Sequence, residues 1–106
     1  MPKYLFQASY TTAGVQGLRK EGGSGRKAAV ERAIKSLGGS LEAFYFAFGA
    51  TDAFVIADMP DNATAAALTL IASAAGGASV HTTVLMTTEE MDAAAKKTAD
   101  YTPPGG

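Results

Sequence analysis

Residues 40–57, Ser40-Leu41-Glu42-Ala43-Phe44-Tyr45-Phe46-Ala47-Phe48-Gly49-Ala50-Thr51-Asp52-Ala53-Phe54-Val55-Ile56-Ala57, read as two apolar strands joined by a short loop. Aromatic and β-branched side chains favour a pleated, half-buried surface, and Gly49 to Asp52 supply the residues a hairpin needs. The pattern predicts strands over Leu41–Phe48 and Asp52–Met59, the second stopped by Pro60. A helix-like segment lies on either side of this hairpin.

Before it, Lys3 to Tyr10 alternates, with Tyr4, Phe6, Ala8 and Tyr10 on one face and Leu5, Gln7 and Ser9 on the other. Thr11-Thr12 caps a helical piece over Ala13–Glu21, and Gly22-Gly23-Ser24-Gly25 breaks the chain. A second piece over Gly25–Leu37, with Ser24 at its cap, carries the apolar stripe Ala29, Val30, Ala33, Ile34 and Leu37. After the hairpin, Asp61 or Asn62 caps a helix over Ala63–Ala75, with Leu68, Ile71 and Ala72 as its core contacts. Its many Ala and Ser residues point to close packing. Ser79–Met86 alternates as a fourth strand, with His81 and Thr83 on its more polar face. Thr87-Thr88-Glu89-Glu90 has the look of a helix start, a short helix over Met91–Lys97 follows, and Tyr101 to Gly106 is an extended Pro/Gly tail.

The order βαββαβ defines a ferredoxin-like α+β fold, a four-stranded antiparallel sheet with helices on one face. Strict alternation separates Phe44, Phe46 and Phe48 from Leu41, Ala43, Tyr45 and Ala47, so strand two is apolar on both sides. A second sheet is the natural cover for the face without helices. The expected assembly is a homodimer at least, with two sheets face to face in a dimeric α/β barrel. Residues 1–98 form one domain and residues 99–106 the tail.

These stretches together resemble the GYD domain family of bacterial proteins over nearly the whole chain. The resemblance rests on Tyr4-Leu5-Phe6, Ser9-Tyr10-Thr11, Lys20-Glu21-Gly22-Gly23-Ser24 with Arg26, and Ser40 to Gly49. Asp58-Met59-Pro60-Asp61-Asn62, Thr82-Thr83-Val84-Leu85 and Tyr101 to Gly105 complete it. The hairpin reads Gly49-Ala50-Thr51-Asp52, without the tyrosine of the Gly-Tyr-Asp pattern that names the family. The resemblance implies the ferredoxin-like fold and oligomerisation, and no particular activity.

The composition bounds the function. In 106 residues, 47% are hydrophobic and 18% charged, a lightly charged surface that fits partial cover by a second copy. The net charge of −1 supplies no global field for nucleic acid. No cysteine is present, so disulfides and thiolate metal sites are excluded. The run Ala63–Val80 is too rich in Ala, Ser and Gly to read as a membrane span, and the N-terminus lacks the pattern of a signal peptide. The expected setting is cytoplasmic, with no metal, cofactor, nucleic-acid or membrane partner.

Two groups of residues are candidates for a site. Gln7, Ser9, Tyr45, Asp52, His81 and Thr83 fall where a cavity on the open sheet face would lie. His81 is the only histidine and the one side chain whose ordinary pKa is near neutrality, hence the candidate general base of an enzyme. The bland alternative is a rim histidine, with Asp52 shaping the turn and Tyr45 packing. The second group, Lys20, Gly22, Gly23, Ser24 and Arg26, joins glycines to a helix start inside a segment with six basic and two acidic residues. It offers an anion site, or a solvated junction.

Three functions stay open on these residues. The first is a homo-oligomer binding a small anionic or aromatic molecule on the open face. The second is a monooxygenase- or isomerase-like enzyme moving a proton through His81. The third is a structural or regulatory oligomer.

Overall fold

A computed structural model describes residues 1–106. The chain runs β1 (Lys3–Tyr10), α1 (Thr12–Ser36), β2 (Ser40–Phe46), β3 (Ala53–Asp58), α2 (Asn62–Ala74), β4 (Ala78–Leu85) and α3 (Thr88–Ala95). The strands form one antiparallel sheet in the order β2-β3-β1-β4. This is the ferredoxin-like α+β arrangement predicted from the sequence.

Local signals fix the helix starts. The Thr11 hydroxyl accepts from the Gly14 amide at 3.1 Å, and the Asp61 carboxylate accepts from the Thr64 amide at 2.8 Å. Thr87 and Glu90 form a reciprocal capping box that starts α3 at Thr88, within the helix start read at Thr87 to Glu90. The two helical pieces expected before β2 are present: α1 is two helices joined at a kink, where Gly22 (φ 75°, ψ 170°) leaves the helical conformation. Within α1 only Gly22 takes a positive φ, 75°, which glycine adopts freely, so the break is confined to one residue and Gly23, Ser24 and Gly25 already belong to the second helix.

Strand register sorts the side chains. Tyr4, Phe6, Val55, Ala57 and Met59 are buried with Ile34 of α1 and Ala65 of α2. The Tyr4 hydroxyl donates to Asn62 Oδ1 at 2.5 Å, tying β1 to the first turn of α2. On β2 the register slips between Leu41 and Ala43. That bulge overturns strict alternation. Leu41 pairs with Ala57 and joins Phe44 on the core side, while Ala43 and Tyr45 go to the open face. The open face therefore carries Leu5, Phe54, Ile56 and Tyr45 beside Gln7, Ser9, His81 and Thr83. Lys3 closes one end of it, pairing with Glu42 at 2.5 Å and Asp58 at 2.9 Å.

The helices divide the other face. α1 packs mainly over β2, and α2 packs over β4. α3 makes no extensive packing contact with another element of its chain and buries no residue. The molecule is correspondingly long, 56 × 32 × 22 Å, with a radius of gyration of 16.8 Å against about 13 Å for a globular chain of this length.

Candidate functional site

Because α1 and α2 sit over opposite edges of the sheet, the space above its two central strands is not filled. A cavity of about 700 Å³ lies there. Its floor is Phe6, Ala8, Tyr10, Ala53, Val55 and Val80, from the helix-facing side of the sheet. Its walls are built from small residues. Ala13, Gly14 and Gly17 line it from the first half of α1, Ala29 and Ala33 from the second, and Ala72 and Ala75 from α2. Large side chains at these positions would have filled the volume and brought the helices together. The Ala-rich α2 thus borders an open space on one flank, where close packing was expected.

One end of the cavity is closed by backbone. Thr11 donates its amide to Gly77 O at 3.0 Å and its hydroxyl to Gly76 O at 2.9 Å, pinning the start of α1 to the turn before β4. Gly14 makes this approach possible, since a β-carbon there would sit 1.9 Å from the Gly77 carbonyl oxygen.

Three polar side chains able to bind a ligand reach the cavity: Tyr10, Glu21 and Arg26. The kink at Gly22 turns Arg26 back toward Glu21, with Nη1 3.3 Å from Oε1. Arg26 Nε is buried and has no hydrogen-bond partner. Burial raises the Tyr10 phenol above its ordinary value, and the nearby Arg26 charge opposes that shift. Tyr10 is therefore a neutral hydrogen-bond donor at physiological pH. Thr69 also lines the cavity, but its hydroxyl is engaged with Ala65 O at 3.4 Å and with the Thr82 hydroxyl.

The sequence-derived candidates divide between the two faces. Gln7 and His81 are directly opposite one another on β1 and β4, with Thr83 opposite Leu5. Tyr45 pairs with Phe54, and Phe54 with Gln7, so Tyr45, Phe54, Gln7 and His81 form one row across the open face. Tyr45 and His81 stand at opposite ends of that row, about 14 Å apart along three strand spacings. The Asp52 carboxylate accepts from the Tyr10 amide at 2.8 Å, and Ser9 Oγ donates to Ala50 O at 2.7 Å. Both anchor the β2–β3 loop to the end of β1. The structure therefore does not gather Tyr45, Asp52 and His81 into one set.

Of the glycine-loop group, only Arg26 turns inward. Lys20, Gly22, Gly23 and Ser24 are exposed. Gly23 has a packing reason, since a β-carbon there would come within 3.1 Å of the Phe46 ring. The residues missed by sequence reading are Tyr10, Glu21 and the small residues of the walls. Their signal was present as small residues at helical spacing, Gly14 with Gly17 and Ala29 with Ala33, facing a sheet.

A family model described as the GYD domain matches residues 4–95. The chain belongs to the GYD domain family. No curated protein and no solved structure matches it. The family match spans every element that lines the cavity of this GYD domain, from Phe6 to Val80, and ends with α3. The hairpin loop Gly49 to Asp52 contributes nothing to the cavity lining. No helix is long and apolar enough to cross a membrane.

Proposed function

We propose that this GYD domain is a homo-oligomeric binding protein that holds a small, largely apolar molecule between its helices and its sheet. The cavity carries this reading. Helices packed over a sheet ordinarily leave little empty space against it. Here about 700 Å³ stands open in a 106-residue chain, within the range that small-molecule sites occupy. Apolar walls with a few convergent polar groups fit a ligand with an aromatic or alicyclic body and one polar end. This moves the site expected on the open sheet face to the opposite side of the sheet.

The open face then serves self-association. Leu5, Phe54, Ile56 and Tyr45 form an apolar surface on the sheet face away from α1 and α2, and α3 buries no residue. The accessible surface is 7087 Å², against about 5,500 Å² for a folded monomer of this mass. The excess, about 1,500 Å², is roughly twice what one partner gives to a standard interface. A second copy, with its sheet on this face and with α3 reaching across, accounts for that excess. The net charge of −1 supplies no attraction to nucleic acid or to anionic membrane, and we place the protein in the bacterial cytoplasm.

Native mass spectrometry of protein purified from its own host tests both parts. The expected result is an oligomer carrying one small organic molecule per chain, lost when Ala33 is replaced by Phe. A ligand-free monomer that stays a monomer at micromolar concentration would overturn the reading.

A further inference from the structure

The geometry points to a monocarboxylate as the ligand of the helix–sheet cavity, its two oxygens held by the Nε–Nη2 edge of Arg26 and approached by the Tyr10 hydroxyl. This rests on the cavity being the binding site, and it names what the polar end of the ligand is.

A guanidinium offers two edges that bind a carboxylate with paired, parallel N–H groups. In this chain Glu21 occupies Nη1, at the far edge. Nε belongs to the other edge, and it is buried with no partner. A buried donor left unpaired is costly, and few native structures carry one without a purpose. Arg26 lines the cavity, and an acceptor held there meets that donor by a turn of the guanidinium that uncovers Nε. Glu21 sets the direction of the free edge by holding the other side of the guanidinium. It is a positioning residue.

The same residues fix the charge of the ligand. One Arg edge and one phenol supply three donors, enough for a carboxylate. They fall short of the oxygens and the second negative charge of a phosphate dianion. Glu21 lies in the same cavity and repels that second charge. Tyr10, kept as a phenol, donates to an oxygen without competing for the positive charge. Apart from Thr69, whose hydroxyl is engaged elsewhere, the other side chains of the lining are alkyl and aromatic, so the body that follows the carboxylate is apolar.

Calorimetric titration of the full-length protein with 2-naphthoate, 2-naphthamide and 2-naphthyl phosphate tests this. The acid and the amide share a shape and differ in charge. The expected result is binding of 2-naphthoate at least tenfold tighter than of 2-naphthamide, with the phosphate weaker than the acid. Arg26→Gln is expected to bring acid and amide to equal affinity. Arg26→Lys keeps the charge but not the paired edge, and is expected to lose most of the preference. Far-ultraviolet circular dichroism and melting temperature of both variants verify that they fold. Equal affinity of the parent for acid and amide would overturn the carboxylate while leaving the cavity as the site. So would tighter binding of the phosphate, or a preference unchanged in Arg26→Lys. Absence of binding by all three would overturn the cavity reading itself.

Discussion

Arg26 reaches back across the bend at Gly22 to Glu21, with Nη1 3.3 Å from Oε1, and the pairing leaves Nε of the same guanidinium buried and unpartnered. Two residues five apart meet because the helix bends between them. A straight helix places i and i+4 together and carries i+5 past the face. The basic residue that looked like part of a surface anion loop is by this device part of the cavity wall.

The cavity should accept added side-chain volume. Ala33→Phe places a ring where alkyl walls already surround empty space, so it gains contacts instead of forcing a repack. The expected outcome is a melting temperature equal to or above that of the parent, with 2-naphthoate binding lost. Thermal denaturation with and without the ligand measures both. A large drop in melting temperature would show that the space is not open.

Two glycines of α1, three residues apart, should respond in opposite ways. At Gly14 a β-carbon meets the Gly77 carbonyl oxygen at 1.9 Å, and at Gly17 it meets nothing within 4 Å. Gly14→Ala is expected to cost about 1–3 kcal/mol, as overpacking against rigid backbone does. Gly17→Ala is expected to gain about 0.5–1 kcal/mol from helix propensity. Urea unfolding of the two variants compares them directly.

Asp61 makes the stability of α2 depend on acid. Its hydrogen bonds from Thr64 hold its carboxyl below the ordinary value of 3.8. A carboxyl with a depressed folded-state pKa contributes stability above its unfolded value and loses it as pH falls through the folded value. The parent should therefore melt above Asp61→Ala at pH 7. The gap should narrow as pH drops below 3.8 and close once Asp61 is protonated in both states. Melting curves of the pair across pH 2–7 follow it. A gap independent of pH would contradict the cap as its source.

Self-association has two separate handles. Ile56→Lys puts a charge in the middle of the uncovered sheet face, and Met91→Glu puts one on α3, which buries no residue in its own chain. Burying one large apolar side chain is worth about 1.5–3 kcal/mol, so either change should weaken association by tenfold or more. Sedimentation velocity over a concentration series reads the shift. Because neither site is part of the core, the far-ultraviolet circular dichroism of both variants should match the parent.

Much of the fold was legible because its signals are local. The alternation of Lys3–Tyr10, the apolar pair around Gly49 and the caps at Thr11 and Asp61 all act over a few residues. The phase of β4 was legible too, and it set His81 opposite Gln7. The bulge after Leu41 was not, since an extra residue in one strand is decided by the partner strand. The site was less legible still. A cavity is the absence of side chains from several elements at once, and no single segment records it. Arg26 was named for its charge, but the direction it points depends on the bend at Gly22, which the glycines permit and do not specify.

The open face and the interior cavity can be told apart by one measurement. Amide and methyl chemical shifts of isotopically labelled protein, followed during titration with 2-naphthoate, report where the ligand sits. Shifts concentrated at Ala29, Val30, Ala53, Val55 and Val80, and intact in His81→Gln, are the predicted result. Shifts concentrated at Leu5, Gln7, Tyr45, Thr83 and His81, with the cavity residues unmoved, would place the ligand on the open face and contradict the account.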